Sequence, residues 1–253
     1  MDETIDRVLL RPLARRIVAR LQHTRVTPNQ VTLCGALSGV AAGVFLSWAT
    51  LPGLLLAAAC LANTMVLDCA DGQLARVRQT QSELGRVMDG AADISTGIAL
   101  HLGLWWALSN TSPPPPAGEW FVWVALSGGA MFIHTTVFDY LRQPADTQQT
   151  SPLQSRAQPH VLLRGVVALY LAYGRGQQRA LRRWLRRLSE QQNAGPQHAL
   201  GFLGYTAHNA LFLGLILAAC WEPMALALYI PGVLVGFNAL CCVVIYTHRR
   251  RRV

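Results

Sequence analysis

Residues 31–50 read VTLCGALSGVAAGVFLSWAT, twenty positions without one charged side chain. A helix needs about 20 mostly apolar residues to cross the hydrocarbon core of a bilayer, so this stretch has the length and chemistry of a membrane span. Five more apolar runs follow: Leu51–Leu67, which is short, then Arg86–Ser109, Glu119–Leu141, Gly201–Cys220 and Pro223–Thr247. The chain has 253 residues, 52% hydrophobic and only 14% charged. Ordinary soluble domains carry roughly a quarter charged residues. The apolar excess lies in runs of spanning length, and nothing left over calls for a soluble core. The expected fold is an all-α integral membrane protein with six transmembrane helices.

The formal net charge is +9, and all 22 basic residues are arginine. Six arginines fall in residues 1–30, three are Arg76, Arg78 and Arg86, nine lie in residues 142–200, and four form the tail Arg249–Arg252. The connections near Leu51–Pro52, Pro113–Pro116 and Trp221–Glu222 hold none. Basic residues concentrate in cytoplasmic loops, so this alternation predicts an even number of spans in the cell membrane, with both termini cytoplasmic. Arginines bordering apolar spans match anionic lipid headgroups as partners and not a nucleic acid.

Residues 1–30 lack the continuous apolar stretch of a secretory signal. Ile5, Leu9, Leu13, Ile17 and Leu21 recur every four positions, with Arg11, Arg15, Arg16 and Arg20 between them. That pattern predicts an amphipathic helix within residues 1–26, lying along the inner membrane surface. Thr27-Pro28-Asn29 ends it, with Thr27 placed to cap the first span and Pro28 at its first position. Gly35, Gly39 and Gly43 form a small-residue stripe where a second helix can pack, from the same bundle or from a second copy in a homodimer. In the Arg-rich cytoplasmic segment 142–200, Gln143–Gln158 reads as loop and Val161–Leu188 as a surface-lying helix or pair of helices, with a short re-entrant segment at Val161–Tyr173 as the alternative, and Pro113–Pro116 reads as a stiff outer connector. Cys34, Cys60, Cys69, Cys220, Cys241 and Cys242 make no CxxC pair and read as small buried hydrophobes.

The chemistry sits at the inner ends of the second and third spans. There the chain reads Asp68-Cys-Ala-Asp71-Gly72-Gln-Leu-Ala75-Arg76 and, eight residues later, Gly85-Arg-Val-Met-Asp89-Gly-Ala-Ala-Asp93. Asp68 and Asp71 are three apart and Asp89 and Asp93 four apart, so on helices each pair shares a face. An antiparallel hairpin would bring the pairs together. Four converging carboxylates repel one another unless cations neutralise them. Oxygen ligands of this kind suit hard divalent ions, Mg²⁺ or Mn²⁺, which keep coordination positions for substrate phosphates. Gly72 and Gly85 leave room for a substrate, and Arg76 offers a forked donor to a phosphate. The alternative is a hairpin whose acids are ion-paired with Arg76, Arg78 and Arg86.

The eight positions Asp68, Asp71, Gly72, Ala75, Arg76, Gly85, Asp89 and Asp93, at these spacings, resemble the complete signature of the CDP-alcohol phosphotransferase (phosphatidyltransferase) family. The six-span layout and the amphipathic N-terminal helix are similar to that family too, and no motif position departs from its pattern. The resemblance implies an integral membrane enzyme, its catalytic domain spanning residues 27–253. Such an enzyme moves a phospho-alcohol group from a CDP-linked donor to an acceptor hydroxyl and releases CMP. It further implies that Asp68, Asp71 and Asp89 are ligands to two Mg²⁺ or Mn²⁺ ions. Asp93 would be the general base and contribute to the second metal position. Gly72, Ala75, Arg76 and Gly85 would line the CDP site.

The expected donor is CDP-diacylglycerol and the acceptor a polar alcohol. The reverse arrangement, a CDP-linked choline, ethanolamine or inositol with a lipid or inositol-phosphate acceptor, stays open. A phosphate on the acceptor would call for arginine beside the metals, with Arg142, Arg164 and Arg175 as candidates and Asp139 as a further polar contact. Asn63, His134, Tyr205, His208 and Asn209 also fall in inner halves of spans, as packing groups or as the lining of a cavity. His101 and Asn238 lie nearer mid-membrane. Asn29 and Thr32, at the mouth of the first span, are placed to approach a nucleotide or to cap the helix. Two other classes fit less well. A prenyltransferase would carry two separate Asp motifs and more spans, and a divalent cation transporter would need carboxylates toward the outer face, where only Glu119 and Glu222 fall.

Overall fold

Thr27-Pro28-Asn29-Gln30 opens the first long helix with a reciprocal cap. In the computed structural model, which describes residues 10–110 and 120–129 together with Gly176, the Gln30 N–H donates to Thr27 Oγ1 at 3.3 Å and the Thr27 N–H donates to Gln30 Oε1 at 2.9 Å. This capping box satisfies two of the backbone donors that a helix start leaves free, and Pro28 occupies a position needing no N–H. The described elements are all helical: α1 (Arg11–Leu21), α2 (Pro28–Leu46), α3 (Leu51–Val77) and α4 (Glu83–Ser109), followed by a shorter apolar helix, α5 (Trp120–Gly129).

Among the described residues, α2 and α3 are long and apolar enough to cross a membrane. α4 has the same 27-residue length as α3 but carries Asp89, Asp93, Ser95, Thr96 and His101. Residues 1–9, the remainder of the fourth expected span, the segment 142–200 apart from Gly176, and the fifth and sixth expected spans lie outside the described residues. The apolar run Leu51–Leu67 is the first part of a longer helix, since α3 continues unbroken through the first half of the acidic motif to Val77, so Asp68 and Asp71 stand on one helix as their spacing predicts. Ala70, Leu74 and Ala75 are good helix formers, and Gly72 interrupts them without breaking the hydrogen-bond ladder.

Contacts divide the chain into two units. One contains the residues up to Leu33 together with Val66–Ala92, and the other contains Cys34–Met65 and the described residues from Asp93 onward.

In the second unit α2 and α4 touch through glycine. A Cβ on Gly39 would collide with the Thr96 side chain, one on Gly43 with the Ala99 carbonyl, and one on Gly103 with the Gly43 carbonyl. Close backbone approach of this kind is what holds helices together where the surroundings leave little hydrophobic drive between them. Gly43 of the expected stripe is thus occupied by α4 of the same chain, as is Gly39. The third member, Gly35, accepts the Thr64 Oγ1 hydrogen bond at 3.1 Å through its carbonyl. Asn63 donates to Ser38 Oγ at 3.1 Å, and Ser38 donates to the Cys60 carbonyl at 2.9 Å, so Asn63 makes an interhelical bond of the packing kind. The outward face of α2 carries Leu37, Val40 and Val44, and that of α4 carries Ile94, Ile98, Leu102 and Trp106, all exposed. Such continuous apolar stripes suit lipid as the surrounding medium.

In the first unit α1 packs on α3. Ala14 and Val18 are buried with Val31, Ala70 and Leu74, and Ile17 and Leu21 flank them. Burying a leucine such as Leu74 contributes about 2 kcal/mol when its alternative is water. The apolar face of α1 is therefore rotated from the one read by counting fours: Leu13 is 38% exposed while Ala14 is fully buried. At 3.6 residues per turn a four-residue repeat advances about 40° each step, so the stripe drifts around the helix, and where Leu21 packs against the cluster Leu13, two steps earlier, lies toward its edge.

Candidate functional site

The end of α3 is shaped by a Schellman closure. The Thr80 N–H donates to the Ala75 carbonyl at 2.9 Å and the Gln79 N–H to the Arg76 carbonyl at 3.1 Å. This places Gln79 at φ 54°, in the left-handed region that ends many helices. Ser82 then caps α4, its Oγ accepting the Gly85 N–H at 3.0 Å. The turn between the helices is thus set by local chemistry, and it folds the second half of the motif back beside the first.

The result is a convergence of three carboxylates. Asp68 and Asp71, one turn apart on α3, and Asp89, in the second turn of α4, each offer an oxygen, and these oxygens all lie within 4.8 Å of one another. Asp71 is buried, Asp89 half-buried and Asp68 exposed. At that separation each like-charged pair costs about 1 kcal/mol in water and roughly 3.5 kcal/mol at an effective dielectric near 20. A divalent cation reverses the sign of the balance, and three oxygen donors from acidic side chains are the set Mg²⁺ and Mn²⁺ take. Among the described residues this is the group of three whose chemistry fits a metal ion.

Two contacts that the sequence reading did not anticipate hold this corner together. Thr32, one turn into α2, donates its hydroxyl to the Asp71 carboxylate, and both residues are 7% exposed. Val31, beside it in sequence, is buried against the Ala70 and Leu74 cluster, which is what fixes the first turn of α2 against α3. Arg78 donates to three backbone carbonyls of the α1–α2 connection, those of Leu21 and Val26 at 2.5 Å and Thr24 at 2.8 Å. Its guanidinium thus gathers carbonyls where α1 ends, in place of the carboxylate pairing that an ion-paired hairpin would give it.

The motif glycines are of two kinds. A Cβ on Gly85 would stand 3.3 Å from Ser82 Oγ and 3.5 Å from Asn29 Oδ1, a tight fit that the capped start of α4 itself accounts for. Among the described residues a Cβ on Gly72 would meet only the Arg76 guanidinium, at 3.6 Å from Nη1, an ordinary contact. Packing among the described residues therefore leaves the space at Gly72 open, unlike the space at Gly39, Gly43 and Gly103. Arg76 is exposed, and it borders a shallow groove of roughly 340 Å³ together with Gln73 of α3 and Arg15, Val18 and Gln22 of α1. Ala75 is half-buried on the same helix turn. Asp93 is exposed on α4, one helical turn beyond Asp89.

Asp139, Arg142 and Arg164 lie outside the described residues, as do Arg175, His134, Tyr205, His208, Asn209 and Asn238. Thr32 was legible as a polar residue at the mouth of α2, but its partner was not, since nothing local links positions 39 residues apart. For Arg78 no sequence signal separates a guanidinium that binds carbonyls from one that meets headgroups.

No curated protein matches this chain in a sequence search. Residues 25–188 match the family model described as CDP-alcohol phosphatidyltransferase, a region that opens in the α1–α2 connection and takes in every position of the acidic motif. That match covers more than half of the chain and includes the corner where the three carboxylates meet. A metal-fitting acidic hairpin on apolar helices and the family match agree, and the chain belongs to the CDP-alcohol phosphatidyltransferase family, transferases that move a phospho-alcohol group from a CDP-alcohol.

Proposed function

We propose that the protein transfers a phosphatidyl group from CDP-diacylglycerol to the hydroxyl of a polar alcohol, at the cytoplasmic face of the cell membrane. The observation that carries this reading is the meeting of Asp68, Asp71 and Asp89 within 4.8 Å at the ends of apolar helices. A diphosphate donor anchored by lipid chains would present its charged end at that level. Asp68, Asp71 and Asp89 would hold two Mg²⁺ or Mn²⁺ ions, with Asp93 contributing to the second. Bound there, such ions neutralise diphosphate charge and stabilise the departing CMP.

The protein's own groups then have distinct tasks. Asp93 accepts the proton of the acceptor hydroxyl as its oxygen attacks the phosphorus distal to cytidine. The bond from that phosphorus to the bridging oxygen breaks, and CMP leaves with the electron pair. Gly72 lets the nucleotide approach the α3 backbone, Ala75 and Gly85 keep the neighbouring walls low, and Arg76 places a forked donor beside the phosphates. Arginine in the segment 142–200, with Arg142 and Arg164 foremost, and Asp139 would receive the acceptor.

The direct test is CMP release by the purified chain in nanodiscs with Mg²⁺ or Mn²⁺. One arm offers CDP-diacylglycerol with a panel of polar alcohols and alcohol phosphates, and the other offers CDP-choline or CDP-ethanolamine with diacylglycerol. Acceptor-dependent CMP release in the first arm is expected. Release confined to the second arm would replace this donor assignment with the reverse one.

Gly72→Ala separates the substrate role from folding. Because the added methyl meets only ordinary contact among the described residues and alanine is the better helix former, the variant is expected to melt no lower than the wild type. Its CDP affinity should fall by about tenfold or more, the equivalent of roughly 1.4 kcal/mol of lost approach. Unchanged CDP binding would remove Gly72 from the site.

A further inference from the structure

We infer that Thr32 is the positioning residue for Asp71, fixing that carboxylate for metal binding across the α2–α3 contact. The inference rests on the proposed role of the acidic triad as the metal site. Asp71 is the buried member of the three, and a buried carboxylate is costly unless hydrogen-bonded. The donor here comes from a different helix: Thr32 Oγ1 reaches Asp71 Oδ2, and both residues are almost fully enclosed.

Thr32 has a second acceptor within reach, the Pro28 carbonyl one turn back at 3.2 Å, but its hydroxyl carries one proton. The charged oxygen is the stronger partner, so the proton goes to Asp71. With one carboxylate oxygen held from α2, the other is left for a cation, and rotation of the Asp71 side chain is stopped. Hydrogen bonds of this type to ligating carboxylates set metal affinity, and their loss typically costs 10- to 100-fold. The capping box at Thr27 and Gln30 and the burial of Val31 then acquire a purpose, since they hold the turn that carries Thr32.

Thr32→Val keeps the shape and removes the donor, and Thr32→Ser restores it. The test is titration of Mn²⁺ into the full chain in phosphatidylcholine nanodiscs, with free Mn²⁺ read by electron paramagnetic resonance. Thermal melting of each variant is followed in parallel. We expect Thr32→Val to bind Mn²⁺ about tenfold or more weakly than wild type, and Thr32→Ser to recover most of that loss. Wild-type Mn²⁺ affinity in Thr32→Val would overturn the inference alone. So would unchanged Mn²⁺ affinity with weakened CDP binding, which would make Thr32 a nucleotide contact. Equal loss in the valine and serine variants would overturn it too, since that is the mark of general packing damage. A wild-type chain that binds no Mn²⁺ would overturn the triad assignment and this inference with it.

Discussion

Asp93→Asn is expected to lower acceptor-dependent CMP release by roughly a hundredfold to ten-thousandfold, the range that a positioned general base contributes, while donor binding stays as in the wild type. Asparagine keeps the size of the side chain and its capacity to hydrogen-bond, but it cannot take a proton from the acceptor hydroxyl. Asp93 stands one turn beyond Asp89 on α4 and is exposed, so the substitution disturbs no buried packing. The split between rate and binding is therefore the informative quantity. Single-turnover CMP release, with CDP-diacylglycerol affinity measured separately, checks it. Full activity in this variant would remove Asp93 from the base role. Loss of donor binding together with activity would make it foremost a ligand to the metal ions.

Asp68→Asn is expected to behave in the opposite way, with Mn²⁺ affinity falling by at least about a hundredfold. A direct ligand should matter no less than the outer hydrogen-bond partners, whose loss already costs up to that factor. Donor affinity should fall with it, because the diphosphate and the ions bind together. Asp68 is the exposed member of the triad, whereas Asp71 is buried, so Asp68 can be neutralised with least disturbance of buried packing. Removing one of three like charges also relieves repulsion in the metal-free protein. Metal-free Asp68→Asn should melt no lower than wild type, although it loses function. Electron paramagnetic resonance titration and thermal melting with and without Mn²⁺ test both parts, and a Mn²⁺ affinity equal to wild type would exclude Asp68 from the ligand set.

Much of this site could be read without coordinates, because its residues come from two short stretches with local rules. Helical spacing places Asp68 and Asp71 on one face, and Thr27 and Gln30 stand at the separation of a capping box. Twenty uncharged positions in a row make a spanning helix the economical reading of residues 31–50. These are statements about neighbours within one turn of helix, and geometry there leaves little freedom.

Contacts between segments obey no such short rule. The turn of α1 by which Ala14 and Val18, not Leu13, meet α3 depends on the shape of the Ala70 and Leu74 surface. Arg78 could have met a carboxylate or a lipid headgroup, and it reaches the carbonyls of Leu21, Thr24 and Val26 because the Schellman turn carries it there. The open space at Gly72 and the filled space at Gly43 look alike in the sequence, both being glycine in a helix, and they differ only in what stands opposite. Residue types and their spacing thus establish the long apolar helices, of a length and chemistry to cross a membrane, and the acidic hairpin, since both follow from helical periodicity and the placement of charge. The pairing of Thr32 with Asp71 belongs to the fold, since a hydrogen bond between positions 39 residues apart exists only once α2 and α3 have packed.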